Sequence, residues 1–265
     1  AHERLKATPG FMNVYCNDGF TLVEVLVRAV TGKSFAAYVQ ASILDPLGMK
    51  HSAYTTTPFP KDRYARVYRS GVLQLQEFVG AQASGGLYTT PTDLATFTRV
   101  FLNAGAYGAE RLISSSSVEA MATDQTTGTF NPVKWLGMAN GLGWDTVIEP
   151  GLNAVGIAAW TKGGDTEFYG AEMMIAPGEG LAVVVLGTQG KGYNHSAAAQ
   201  RILLRALAET RRIAAFPQPL APVAADPAKA PDGLTASLAG YFANYESMYQ
   251  LRPDTHDSLT LLEWG

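Results

Sequence analysis

"EFYGAEMMIAPGEGLAVVVLGT", residues 167–188, decides how the second half of the chain folds. Two apolar stretches, 167–176 and 180–188, have the length and the side chains of buried strands. The turn sequence Pro-Gly-Glu joins them. Because so short a connection cannot hold a parallel crossover, the two strands are predicted to pair antiparallel.

Working outward from this hairpin, two more strands are predicted just before it, over 141–148 and 155–161. A helix is predicted after it, over 195–212. The predicted buried face of that helix consists of Ile202, Leu203, Ala206 and Leu207. The first half of the chain is predominantly helical in pattern. Helices, then an antiparallel sheet, then one more helix indicate an α+β fold rather than alternating βαβ units.

The helical signals of the first half begin with apolar residues at helical spacing from Leu22 to Val30, followed by Gly32 as a stop. A second helix is predicted from its cap, Ser34, to about Leu44. Capping patterns mark two further helix starts: Thr90 with Asp93, and Ser116 with Glu119.

The composition changes near the end of the chain. Five prolines within 216–233 predict an extended, semi-rigid linker. Residues 234–265 alternate as strands do, and they are expected to begin a small β domain that the chain does not complete. The predicted organisation is therefore a main domain over 1–215, a linker over 216–233 and an incomplete β domain over 234–265.

Composition also excludes several classes of protein. The chain has 265 residues, of which 47% are hydrophobic and 16% charged, so it can bury a sizeable core. A formal charge of −3 favours neither nucleic acid nor an anionic membrane as a partner. The longest apolar run, 181–186, is too short to span a bilayer. One cysteine and four scattered histidines predict no disulfide, no metal site and no cofactor.

Three stretches could carry chemistry: Tyr15-Cys16-Asn17, residues 83–97 and residues 160–170. Each is also typical of ordinary structure. Asn17 or its neighbour could cap the following helix, 83–97 could be a loop with a helix cap, and Lys162 could be a solvated lysine in a surface turn.

Taken together and in order, the three stretches resemble the serine β-lactamase and penicillin-binding-protein superfamily, and within it the class C β-lactamase and related esterase and D-peptidase branch. Residues 9–54 resemble the Tyr-x-Asn segment of that branch, 84–103 its next helix, and 162–188 its Lys-Thr-Gly strand and hairpin. The resemblance covers roughly 1–212. It implies a β-lactamase/transpeptidase-like fold with a mostly helical subdomain, of which 1–215 is the C-terminal portion.

The resemblance also implies acyl transfer through a covalent acyl-enzyme. On this interpretation Tyr15 is a general base or proton relay. Asn17 orients the lysine that accompanies the serine nucleophile, and it binds a substrate amide. Lys162 supplies positive potential to the tyrosine, whose free phenol has a pKa near 10, and to a substrate carboxylate.

The same resemblance implies how substrate is bound. Gly163 and Gly164 let the substrate lie against the strand edge, and the backbone N–H near Asp165 provides half of an oxyanion hole. Gly163 departs from the family pattern, because it stands where Lys-Thr-Gly has a hydroxyl. This departure favours an esterase or peptidase over a true β-lactamase.

The family nucleophile lies in a Ser-x-x-Lys motif upstream of Tyr-x-Asn, and no serine of these 265 residues has a lysine three positions later. The two ends of the chain read as the boundaries of a fragment or a processed chain. We therefore expect the nucleophile on an N-terminal segment of the same protein, present as another part of it or as a separate chain. This chain alone is expected to be inactive.

The expected function is therefore that of a serine hydrolase acting on an ester, amide, D-peptide or β-lactam, and the resemblance suggests a periplasmic or secreted bacterial protein. The alternative is a non-catalytic β-lactamase-like module for binding or assembly. The missing Ser-x-x-Lys and the glycine at position 163 favour this alternative, whereas retention of both Tyr15 and Asn17 argues against it.

Overall fold

The computed structural model describes residues 8–13, 15–55, 57–131, 137–188, 194–217, 238–243, 248–253 and 259–264. The chain forms two compact units. The first comprises Ala1–Tyr15, Gly128–Leu136 and Pro217–Gly265; the second comprises Cys16–Thr127 and Gly137–Phe216.

The described helices all lie in the second unit. The described residues form seven α-helices: α1 (Asn17–Thr31), α2 (Phe35–Val39), α3 (Asp45–Leu47), α4 (Pro91–Leu102), α5 (Ser115–Ala122), α6 (Pro150–Asn153) and α7 (His195–Glu209). A π-helical turn, Gln40–Leu44, joins α2 to α3. The helix predicted to end near Leu44 therefore continues to Leu47, where Gly48 takes a left-handed conformation with φ 65°.

The strands are mostly short. The described residues form twelve strands: β1 (Ala53–Tyr54), β2 (Tyr68–Arg69), β3 (Val72–Leu73), β4 (Leu87–Tyr88), β5 (Ala106–Tyr107), β6 (Glu110–Arg111), β7 (Trp160–Asp165), β8 (Gly170–Ala176), β9 (Leu181–Gly187), β10 (Gly240–Ala243), β11 (Met248–Pro253) and β12 (Leu259–Trp264). Strands β7, β8 and β9 form one antiparallel sheet in that order. The hairpin predicted over 167–188 is thus confirmed, with Gly170 paired to Gly187.

Two strand predictions before this hairpin are wrong. Residues 141–148 make only one bridge to the sheet, between Thr146 and Thr161. The reason is local, since the Thr146 hydroxyl accepts hydrogen bonds from the N–H groups of Ala139 and Ile148 and curls the backbone. The strand predicted over 155–161 begins only at Trp160.

Helices cover both faces of the sheet in the second unit. Met174 and Ala176 of β8 pack into a cluster with α7, and the alternating residues Met173 and Ile175 pack into a cluster with α4. This alternation is what a strand buried on both faces requires. The α+β architecture with an antiparallel sheet flanked by helices is therefore confirmed.

The buried face of α7 differs slightly from the prediction. Leu203, Leu204 and Leu207 are buried, whereas Ile202 is 52% exposed. The buried stripe follows a four-residue step from Ala199 through Leu203 to Leu207, because this row meets the sheet. Leu204 therefore takes the place predicted for Ile202.

Three helix caps can be compared with their predictions. Ser34 accepts a hydrogen bond from the Ala37 N–H, and Thr90 accepts one from the Asp93 N–H, as predicted. The prediction for α5 is wrong by two residues. Ser114, rather than Ser116, begins the helix by accepting a hydrogen bond from the third residue after it.

Helix α1 has no buried residue. Its apolar side chains are largely exposed among the described residues: Leu22 is 68%, Val25 63%, Leu26 61% and Val30 77% exposed. The helical spacing predicted this amphipathic helix, but within the described residues its apolar side chains do not enter a core.

Asp93, near the start of α4, also binds the segment that follows α3. Its buried carboxylate accepts hydrogen bonds from the His51 N–H and the Ser52 hydroxyl, both at 2.8 Å. The Ser52 hydroxyl lies 2.7 Å from the hydroxyl of Thr89. Asp93 therefore fastens the segment after α3 to the start of α4.

Replacing Asp93 with alanine should lower the free energy of unfolding by about 2–3 kcal/mol, because one buried and one half-buried donor lose a charged acceptor. Urea unfolding measures the change. Asp62→Ala removes an exposed aspartate and is the matched control, for which a change below about 0.5 kcal/mol is expected. Equal losses in the two variants would contradict the anchoring role.

The C-terminal part of the first unit is a three-stranded antiparallel sheet in the order β10-β11-β12. Within the same unit, Met12 forms a bridge with Phe130. Most of the linker predicted over 216–233 lies outside the described residues. The predicted boundaries at 215 and 233 therefore stay a prediction.

Candidate active site

Lys162 is fixed at β7 by an ion pair. Its Nζ lies 3.0 Å from Oδ1 and 3.2 Å from Oδ2 of Asp145, and it also donates to the carbonyl of Gly163. The lysine side chain is only 34% exposed. Lys162 is thus a positioned ammonium group rather than a solvated surface lysine.

Asp145 also binds the backbone of β7. Its Oδ2 accepts a hydrogen bond of 2.7 Å from the Gly163 N–H, and its own N–H donates to the Thr161 carbonyl at 2.9 Å. Thr161 and Gly163 therefore direct their backbone groups to the outer edge of the strand. Because backbone direction alternates along a strand, the N–H of Asp165 faces the same edge. This is the N–H predicted to contribute to an oxyanion hole.

A second carboxylate holds the turn that follows Asp165. Glu77 accepts hydrogen bonds from the Thr166 hydroxyl at 2.6 Å and from the N–H groups of Glu167 at 3.1 Å and Phe168 at 3.3 Å. Because three donors of the turn bind one carboxylate, Glu77 fixes the path of the backbone immediately after the predicted substrate-binding residues.

Two tyrosines support the same turn. The Tyr169 hydroxyl donates to the Ala65 carbonyl at 2.7 Å, and the Tyr88 hydroxyl donates to the Glu77 carbonyl at 2.7 Å. Their rings meet edge to face, with centroids 5.7 Å apart. Burial raises the pKa of both phenols above the usual 10, so both remain hydrogen-bond donors at neutral pH.

Glu172 lies directly opposite Gly163 in the sheet. It is 5% exposed, and burial, reinforced by the nearby charge of Asp145, raises its pKa from 4.5 to about 8 despite the opposing effect of Lys162. Since the folded chain then holds a proton that the unfolded chain releases, the contribution of Glu172 to stability is fully present below pH 4.5 and is lost as the pH rises to about 8.

A buried histidine lies at the end of the sheet where Asp165, Gly170 and Gly187 are paired. His195, the first residue of α7, is 4% exposed, and its Nδ1 lies 3.9 Å from Oδ1 of Asp165. Its ring packs over the glycine pair Gly170 and Gly187. A Cβ at Gly170 would lie 2.0 Å from Cε1 of the ring, and one at Gly187 would lie 2.5 Å from Nε2.

The remaining predicted residues, Tyr15 and Asn17, are assigned to different units. Tyr15 belongs to the first unit and is 37% exposed. Asn17 belongs to the second unit and is the first residue of α1, so it does not cap that helix; the N-cap position falls to Cys16, which makes no side-chain capping bond. The carbonyl of Asn17 accepts a hydrogen bond of 2.8 Å from the Ser84 hydroxyl.

The structure brings two of the three predicted stretches together. The Ser84 hydroxyl reaches the start of α1, and the Ala83 N–H donates to Oε1 of Glu24 in the same helix at 2.7 Å. The stretch 83–97 is thus attached to the helix that follows Tyr15-Cys16-Asn17.

Sequence reasoning missed Asp145, Glu77 and Glu172. No motif marked them. Asp145 lay in a segment predicted as a strand, and Glu172 lay among apolar residues of the hairpin. The available signal was the position of Glu172 opposite Gly163, which can be read only once the turn fixes the register of the hairpin.

Comparison with known proteins shows the family to which the chain belongs. Residues 1–208 match the family model described as Beta-lactamase. The chain belongs to the β-lactamase family. One relative is the D-alanyl-D-alanine-carboxypeptidase/endopeptidase AmpH of Escherichia coli, to which the chain is 29% identical over 168 residues. The match covers 61% of this chain and 42% of AmpH.

Solved structures of the β-lactamase and penicillin-binding-protein group share the fold. The octameric penicillin-binding protein homologue from Pyrococcus abyssi matches with a TM-score of 0.62 at 20% identity, over 97% of this chain and 56% of that one. The β-lactamase/D-alanine carboxypeptidase from Yersinia pestis matches with a TM-score of 0.55 at 22% identity, over 73% and 54%. This β-lactamase family chain spans about half the length of the relatives it matches.

None of the described helices in this chain has the length and apolar character needed to cross a membrane.

Proposed function

We propose that the chain supplies the proton-relay and substrate-binding parts of a serine hydrolase that acts through an acyl-enzyme. The observation that carries the proposal is the fixed Lys162 of β7, the strand whose outer edge also carries the N–H of Asp165. A positioned ammonium and a positioned N–H donor are what an acyl-transfer site needs for substrate charge and for a developing oxyanion.

In this proposal Tyr15 accepts the proton of the attacking serine and passes it to the leaving group. A phenol needs positive charge nearby to act as a base near neutrality. Lys162 provides that charge, and Asp145 fixes its direction. Asn17 orients the lysine that accompanies the serine, and Gly163 and Gly164 keep side chains away from the substrate.

The nucleophile is assigned to a segment carrying Ser-x-x-Lys, here called the serine segment. Two features of the second unit support such a partner. The apolar side chains of α1 are exposed, with Leu22 and Val30 at 68% and 77%. Within the described residues β9 pairs only with β8, so one edge of its backbone can receive another strand.

An ester or a D-peptide is proposed as substrate before a β-lactam. Gly163 offers no hydroxyl to the substrate, and one relative is named a D-alanyl-D-alanine carboxypeptidase/endopeptidase. A periplasmic or secreted location is part of the same proposal, because peptide bonds to D-amino acids occur in the bacterial cell wall.

The proposal predicts where a serine-directed covalent probe reacts. A serine-directed fluorophosphonate should label the serine segment when that segment is present together with this chain. When this chain is treated without the serine segment, no labelling is expected. Intact-protein and peptide mass spectrometry locate the adduct. A stoichiometric adduct on a serine of these 265 residues would contradict the proposal.

A second function remains in view because Ser-x-x-Lys is absent from these residues and Gly163 replaces the motif's threonine. In that case the chain is a non-catalytic binding or assembly module. The residue that occupies the serine position of the serine segment separates the two functions, since a binding module does not need a nucleophile there.

A further inference from the structure

The carboxyl group of Glu172 lies so close to Gly163 that a side chain at position 163 would be in tight contact with it. The two residues are directly paired across β7 and β8. A Cβ built on Gly163 would lie 3.1 Å from Oε2 of Glu172 and 3.5 Å from Oδ2 of Asp145. Glycine at this position and glutamate opposite it are therefore sterically matched.

Glu172 is also surrounded by charge. Lys162 and Asp165 act on it from β7, and Asp145 and Glu149 act on it from the segment before β7. Its neighbour on β9 is the apolar Val185. Its Oε1 is buried and has no hydrogen-bond partner among the described residues.

This setting favours the protonated carboxyl. Burial penalises the charged form, three carboxylates oppose it, and only one ammonium group favours it. The raised pKa of about 8 keeps Glu172 mostly protonated at neutral pH, close to the ion pair of Asp145 and Lys162.

We propose that Glu172 is a positioning residue for Lys162: while protonated it leaves the ammonium group in its bond with Asp145 at the strand edge, and when ionised it draws that group toward the interior. This inference rests on the proposed function for the role of Lys162. The step is a simple ionisation, in which the carboxyl releases its proton to water.

A kinetic consequence follows from this arrangement. Two carboxylates beside one ammonium lower the positive potential at the strand edge. In the proposed mechanism, the positive potential that assists Tyr15 and attracts a substrate carboxylate is then weaker. The acylation rate should fall as Glu172 ionises, and the fall should depend on Glu172 itself.

Glu172→Gln tests the proposal, because glutamine keeps the shape and cannot ionise. Glu119→Gln removes an exposed glutamate of α5 and is the matched control. The protein is studied as this chain together with the serine segment. The first readout is the infrared band of a protonated carboxyl at pH 6, followed to pH 10. The second is the ¹⁵N resonance of the Lys162 ammonium over the same range.

In the parent and in Glu119→Gln, the carboxyl band should disappear near pH 8 and the Lys162 resonance should shift at the same pH. Both changes should be absent from Glu172→Gln. If the variant does not fold, the parent titration still decides, because the two signals must change together. A parent without the band at pH 6, or a Lys162 resonance that does not follow it, would overturn the proposal.

The third readout is the pH dependence of acylation. The parent rate should fall about tenfold from pH 7 to pH 9, and Glu172→Gln should remove most of that fall. An unchanged alkaline limb in Glu172→Gln would also overturn the role in catalysis. Absence of acylation with intact infrared and lysine titrations would instead reject the proposed function and leave the positioning of Lys162 supported.

Discussion

Lys162→Met should lower the rate of acylation of the serine segment by about a hundredfold or more. The expected size is that of losing a preorganised electrostatic group from an acyl-transfer site. Methionine keeps most of the length and apolar surface of the lysine side chain, so the main change is loss of the charge. Asp145 then loses its cationic partner, and the phenol of Tyr15 loses the positive charge that the proposed mechanism requires.

Rates of serine labelling by an activated acyl ester, measured with this chain and the serine segment together, provide the test. Lys50→Met removes an exposed lysine and is the matched control, for which the parent rate is expected. Lys162→Arg keeps the charge but changes the donor geometry, so it should recover only part of the rate. Parent-like labelling by Lys162→Met would refute the assigned role.

Gly170→Ala should produce the largest loss of stability among simple substitutions near the site. The added Cβ would lie 2.0 Å from Cε1 and 2.4 Å from Nδ1 of the His195 ring. That ring is 4% exposed and also packs against Gly187, so it has little room to move away. Overpacking of this kind typically costs about 1–3 kcal/mol, and the upper end is expected here.

Thermal or urea unfolding measures this loss. Gly178→Ala is the matched control, because a Cβ there meets nothing within 4 Å. A double-mutant cycle isolates the cause: in a His195→Ala background, Gly170→Ala should cost less than half of its value in the parent. An equal cost in both backgrounds would mean that the backbone, rather than the histidine ring, requires glycine at position 170.

Much of the fold could be predicted because its signals are local. The antiparallel hairpin over 167–188 followed from a short turn between two apolar runs, and that pairing is confirmed. The caps at Ser34 and Thr90 each depend on a side chain and an N–H three residues later. The strand predicted over 141–148 failed because the Thr146 side chain bonds its own neighbourhood, and an alternating pattern does not reveal this.

The site divides in the same way. Order and spacing along the chain pointed to Tyr15, Asn17 and Lys162, and their roles stay predictions. The partner of Lys162 could not be predicted, because Asp145 reaches it only when the preceding segment pairs with β7 through Thr146 and Thr161. Glu77 is still farther away in sequence, because it binds Thr166, in the turn after Asp165, from a segment 89 residues earlier.

The sequence by itself determined where the longer helices lie, where the main hairpin turns, and that a lysine and two glycines stand together on one strand. Each of these depends on interactions between near neighbours in the chain. Only the tertiary structure decided that Asp145 anchors the lysine, that Glu172 lies buried opposite Gly163, and that the His195 ring packs against two paired glycines. Ion pairing, burial and steric fit depend on distances between residues far apart in sequence, and folding alone sets those distances.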